Sequence, residues 1–122
     1  MKIDSYRDLV VWQAAMTLAS DVYRLTAVFP KSEIYGLTSQ VRRCVVSVAS
    51  NIAEGHTRGS TKEYQRFVGI AHGSLAEAET QLLLAERLEF ATPQQIAALL
   101  AQADEISRML RRLNQALQRK AA

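Results

Sequence analysis

Two groups of cations are the residues in this chain best suited to chemistry with a partner. Arg42, Arg43, Arg58, Lys62 and Arg66 fall around one helix–helix turn, and Arg108, Arg111, Arg112, Arg119 and Lys120 lie along the last helix. Arg108, Arg112 and Arg119 recur at spacings of four and seven, which places them on one helical face. A stripe of that kind can track the phosphates of a nucleic acid. The competing reading is simpler: cations near a helix C-terminus are favoured by the helix dipole. No aromatic side chains interleave the last helix, so contact with RNA or DNA would run through phosphates and not through base stacking.

A second grouping is a polar stripe, Gln40, Arg43, Ser47, Asn51 and Glu54, at heptad-like spacing on one helix. Small apolar residues, Val46, Ala49 and Ala53, flank it, and Ser74, Glu77 and Glu79 stand on the next helix. The stripe is either an ordinary solvated face or an inter-helix network joining Arg43, Asn51, Glu54 and Glu77. Such a network would fix helix register more than add stability. Acid–base catalysis by Glu54 and Glu77 is the weaker interpretation, because no nucleophile accompanies them. A di-metal carboxylate site needs Glu-x-x-His motifs, and neither His56 nor His72 stands three residues after a glutamate. Cys44, beside Val45 and Val46, is expected to pack as a small hydrophobe. No cofactor is expected.

The elements that must carry these groups are four helices. Only two prolines and five glycines interrupt the chain. The first helix should begin near Ser5–Asp8 and close at Pro30. The second should run from Ser32–Glu33, with an irregularity at Gly36, and stop at Gly55. Ser60-Thr61-Lys62-Glu63 and Thr92-Pro93-Gln94-Gln95 each have the form of a capping box, the latter with proline at the first helical position. Apolar residues then recur every three or four positions: Ile34, Leu37, Val41, Val45, Val48 and Ile52; Tyr64, Phe67, Ala71, Leu75, Ala78, Leu82 and Ala85; Ile96, Leu99, Ala103, Ile106, Leu110, Leu113 and Leu117. Short connections make neighbours antiparallel. The fold expected is an all-α, up-down four-helix bundle, one domain over residues 1–122. Gly69 and Gly73, inside the third helix, suggest the close approach of another backbone.

The first helix carries two apolar stripes. Leu9, Trp12, Met16, Ala19 and Tyr23 form one, and Val11, Ala15, Leu18, Val22, Leu25 and Phe29 the other. A second buried face implies self-association, with Val11, Leu18, Val22 and Leu25 as the expected contact, unless the helix has one wide core face. Fifteen Lys and Arg against twelve Asp and Glu give a formal charge of +3, which permits nucleic-acid contact without demanding it. An acidic residue at position 4 breaks any leader-like apolar run, no stretch is apolar enough for a membrane span, and one cysteine cannot form an internal disulfide. A cytoplasmic protein without membrane contact is expected.

Tyr35-Gly36-Leu37-Thr38-Ser39-Gln40-Val41-Arg42-Arg43 and Asn51-Ile52-Ala53-Glu54-Gly55 together resemble the signature of a bacterial family of four-helix proteins first noticed in 23S ribosomal RNA intervening sequences. Asp8-Leu9-Val10-Val11-Trp12-Gln13, Arg58 to Glu63, Arg66-Phe67-Val68 and Ala71 to Thr80 continue the likeness in order, over roughly residues 6–90. The resemblance implies a four-helix bundle in a homopentameric ring without enzymatic activity. A related branch, the accessory variability proteins of diversity-generating retroelements, forms basic pentamers that bind a reverse transcriptase and nucleic acid. Gln40, Arg43, Ser47, Asn51, Glu54 and Gly55 fit the family pattern, which assigns them no chemical role. The expected function is therefore a non-catalytic homo-oligomer serving as a nucleic-acid-binding accessory or adaptor. The alternative is a scaffold for an unnamed protein partner with no nucleic-acid role, and a metal–carboxylate enzyme ranks last.

Overall fold

A computed structural model describes residues 4–121, which form four α-helices and two short 3-10 turns, with no strand among the described residues. Helices α1 (Val10–Thr26), α2 (Leu37–Thr57), α3 (Thr61–Arg87) and α4 (Pro93–Ala121) follow one another around a square. Helix α1 packs on α2 and α4, and α3 packs on α2 and α4, while the backbones of the diagonal pairs stay apart across the core. With short links between α2 and α3 and between α3 and α4, this is the up-down arrangement that connection length imposes.

The helix starts show how local chemistry overrides periodicity. Ser5 and Asp8 cap each other, as their types suggest, but the product is a single 3-10 turn over Tyr6–Asp8. The Asp8 carboxylate accepts from the Asp4 and Ser5 N–H groups, the chain extends at Leu9, and α1 begins only at Val10. The second helix likewise starts later than its sequence pattern suggests. Lys31–Glu33 make a 3-10 turn, Gly36 bends the chain, and Glu33 Oε1 accepts from the Leu37 N–H at 3.0 Å. A side chain on Gly36 would meet that same carboxylate oxygen at 2.7 Å, so glycine permits the cap. At the start of α4 the reciprocal cap forms in full: Thr92 N–H donates to Gln95 Oε1, and Gln95 N–H donates to Thr92 Oγ1. At α3 half of it forms, Glu63 N–H donating to Ser60 Oγ while the Glu63 carboxylate turns to Arg66.

The three seams of α2, α3 and α4 meet in one core, with Val45, Val48, Ile52, Leu75, Ile96 and Leu110 fully enclosed; Ile34, expected on the α2 seam, lies ahead of that helix and is exposed. Of the two stripes on α1, Val11, Ala15, Leu18 and Val22 join this core, and Leu25 packs half-buried against it. The expected contact residues Val11, Leu18, Val22 and Leu25 therefore face their own protomer. They point between α2 and α4, and the neighbouring stripe is the one that reaches solvent: Met16 and Tyr23 are each 43% exposed.

The glycines also change roles. Gly55 does not end α2, which runs on to Thr57; it is buried, and a side chain there would sit 2.9 Å from Phe67 Cβ. It is glycine because α3 crosses at that point. Gly59, at φ 77°, makes the turn. Gly69 and Gly73, by contrast, have nothing of the protomer within 4 Å of where a Cβ would lie.

Candidate nucleic-acid interface

The antiparallel order brings part of each basic group to one end of the bundle and leaves Arg42 and Arg43 near the other. The turn from α2 to α3 presents Arg58 and Lys62, with Arg66 one helical turn further on, and the last turn of α4 carries Arg119 and Lys120. Lys120 and Leu117 line a small cavity of about 220 Å³ together with His56, Ser60, Thr61 and Tyr64. Arg58 pairs with Glu54 at 3.0 Å and Arg66 with Glu63 at 3.0 Å. Both guanidinium groups also lie over the Phe67 ring, 5.2 and 4.5 Å from its centre. The ring steadies two cations whose ion pairs are themselves exposed and weak. Hydrogen bonding from Arg66 holds the Glu63 carboxyl below its usual range. Burial pushes the Tyr64 phenol up, so it stays protonated. No carboxylate among the described residues pairs with Lys62, Arg119 or Lys120. Over residues 54–66 and 119–120 the count is five cations against two carboxylates.

The remaining cations are differently employed. Arg108 bridges Asp104 at 2.7 Å and Glu105 at 3.0 Å, which together raise its already high pKa. Arg112 reaches Glu105 at 3.8 Å, and Arg111 donates to Ser107 Oγ at 3.2 Å. All three are exposed, so a phosphate could replace these partners at little cost. Arg42 does not belong to the patch. Its Nε donates to Thr26 Oγ1 at 2.8 Å, and its guanidinium lies 4.6 Å over Tyr23. It ties the C-terminal end of α1 to α2, at the far end of the molecule.

The polar stripe forms a smaller network than its spacing suggests. Ser47 and Ser74 share a 2.8 Å hydrogen bond between α2 and α3, and the Asn51 amide donates to the Ser47 carbonyl and hydroxyl. Asn51 is half-buried. Gln40, Arg43, Glu54 and Glu77 lie outside the network and are exposed. Glu54 turns to Arg58 instead of Arg43, because the helical neighbour four residues on is nearer than the one eleven back. Glu77 touches only the Cys44 thiol, at 3.9 Å. Glu54 and Glu77 therefore do not converge, and no cluster of three His, Cys, Asp or Glu side chains is placed to hold a metal among the described residues. Burial, with the nearby Glu77 charge, pushes the Cys44 thiol up, away from the reactive thiolate.

Sequence reasoning missed two cross-helix ties. His72 Nε2 lies 2.8 Å from Ser107 Oγ, joining α3 to α4, and Gln102 donates to Asp21 at 2.9 Å, joining α4 to α1. Both sit on the flanks of apolar seams, where polar residues with i±3 apolar neighbours are the available signal. No helix among the described residues is long and apolar enough to cross a membrane.

Residues 7–112 match a family model described as 23S rRNA-intervening sequence protein. The fold is similar to that of a crystal structure of a protein of unknown function from the S23 ribosomal protein family of Bacteroides thetaiotaomicron. The TM-score is 0.78 at 22% identity, covering 86% of this chain and 98% of the other. No protein of curated function matches the sequence.

Proposed function

The chain belongs to the 23S rRNA-intervening sequence protein family, and on that premise we propose that it is a non-catalytic, homo-oligomeric adaptor whose basic end contacts nucleic-acid phosphates. The observation that carries this reading is the meeting of the α2–α3 turn with the last turn of α4, where Lys62, Arg119 and Lys120 have no carboxylate partner among the described residues. One such patch is small. Repetition around a ring, pentameric as the family resemblance implies, lets several weak contacts act together. Binding of this kind is indifferent to sequence and depends on salt.

Fluorescence polarisation with mixed-sequence RNA and DNA at two salt concentrations tests it. Affinity should fall with salt by a slope of about 0.9 per phosphate contact on duplex DNA. Replacing Lys62, Arg119 and Lys120 with glutamine should flatten that slope without lowering the melting temperature. Replacing Arg108, Arg111 and Arg112 should flatten it less, since these must first leave their partners in the protein. No binding at low salt by an assembled protein would favour the second reading, a protein scaffold.

A further inference from the structure

Helix α3 has an outward face unlike that of a solvated helix. Gly69, Gly73, Ala76, Thr80, Leu83 and Leu84 are all exposed and uncharged, with the exposed Arg87 closing the stripe at its C-terminal end and Glu77 at its edge. A surface helix normally turns its charges outward. Two glycines inside a helix weaken it, and here the protomer offers no close neighbour in return, for nothing lies within 4 Å of either Cβ position. The space they leave is open to an approaching surface. Carboxylates border the face: Glu77 on the α2 side, and Glu79 and Glu86, both half-buried, further round the helix. From Phe67 to Glu86 the helix contains no lysine or arginine.

A surface of opposite character runs between α1 and α2. Three adjoining depressions of about 500, 440 and 330 Å³ share residues and make one groove. Met16, Tyr23, Ile34 and Val46 give it an apolar floor, with each of the four more than two-fifths exposed. Arg24, Lys31, Arg42 and Arg43 are the charged residues along it, and no carboxylate lines it. Apolar floor and basic rim match apolar stripe and acidic borders. The chain thus carries both halves of a complementary pair on different sides of one bundle, since α3 is diagonal to α1.

We infer that the α3 face of one copy seats in the α1–α2 groove of the next. The contact is heterologous, so each copy keeps one free face of each kind until the chain of contacts closes into a ring. This rests on the self-association reading above and specifies its geometry; it does not depend on nucleic-acid binding. It also replaces the inner stripe of α1 with the outer one as the surface that self-association buries.

Complementation tests it. Gly73→Trp fills the outward space on α3, and Val46→Glu places a charge on the groove floor. Each variant should stay folded by circular dichroism, because both positions are exposed, and each should weaken self-association by about thirtyfold or more. Leu84→Arg serves as a second variant of the α3 face. An equimolar mixture of Gly73→Trp and Val46→Glu retains one intact pair of faces, so light scattering should report a 1:1 dimer, twice 13.6 kDa, and nothing larger. A mixture that stays monomeric would overturn the pairing, as would either α3-face variant assembling like the parent. A parent chain monomeric at high micromolar concentration would overturn self-association itself, whereas a failed polarisation titration touches only the nucleic-acid reading.

Discussion

Helices α3 and α4 are neighbours of nearly equal length, 27 and 29 residues, and their inward faces follow the same rule. Every third or fourth residue is apolar, and both seams end in the same core. Their outward faces diverge. From Asp104 onward α4 displays Asp104, Arg108, Arg111, Arg112, Arg119 and Lys120 to solvent, while the middle of α3 displays glycine, isoleucine, alanine, threonine and leucine with one exposed carboxylate, Glu77. The inward faces say what folds. The outward faces differ in what they offer a neighbour: charges on α4, a mostly uncharged stripe on α3.

The comparison can be broken most severely from the inside. Leu75→Asp on α3 and Leu110→Asp on α4 both bury an unpaired charge at a fully enclosed site. Each should cost upwards of about 4 kcal/mol and abolish the cooperative thermal transition. If one of the two were tolerated, the inward equivalence of the helices would be wrong. Leu18→Asp on α1 should behave like them, now that this residue is known to face the core.

Glycine substitutions sharpen the contrast between inside and outside. Gly55→Val must push Phe67 and Tyr64 away and should cost about 1–3 kcal/mol. Gly73→Ala, read in a Leu84→Arg background that keeps the chain monomeric, should raise stability by about 1 kcal/mol. Chemical denaturation of both variants gives the sign directly. A loss at Gly73 in the monomer would mean that the protomer itself uses the open space.

Much of this was legible in the residues. The four helices, the caps at Ser60 and Thr92 and the core seams follow from 3.6-residue periodicity and from capping chemistry, both local properties. What escaped is relational. Gly55 looks like a helix stop until Phe67 is seen crossing it. The stripes of α1 differ by one residue in register, and only the placement of α2 and α4 decides that Leu18 is inside while Met16 is outside. Glu54 shares a stripe with Arg43, but eleven residues of helix separate them, and Arg58, four residues on, takes the carboxylate. The basic site was half legible: both clusters stand out in the sequence, yet which of their members meet at one end needs the topology. Arg42 was misread because a guanidinium that caps a neighbouring helix has the same sequence signature as one awaiting a phosphate.

The smallest expected effect lies in the turn between the two compared helices. Glu89 has φ 61°, in the left-handed region, and the chain closes there through a hydrogen bond from Phe90 N–H to the Ala85 carbonyl. Glu89→Gly should relieve the Cβ strain and raise stability by roughly 1 kcal/mol, measured as a shift in the denaturant midpoint. No shift would mean that the Glu89 side chain contributes enough to offset its backbone cost.

The tie between Asp21 and Gln102 has a consequence for how the molecule comes into being. These partners lie 81 residues apart, whereas the α2–α3 and α3–α4 hairpins close over short turns. At about 5–20 residues per second, a translating ribosome needs roughly 4–16 s after making Asp21 to reach its partner. During that interval α1 has α2 to lean on but no α4, and the flank of its Val11–Val22 stripe that α4 will cover stays bare. Of the four helices, α1 is made before the others and is enclosed last, because its α4-facing flank waits for α4 to emerge.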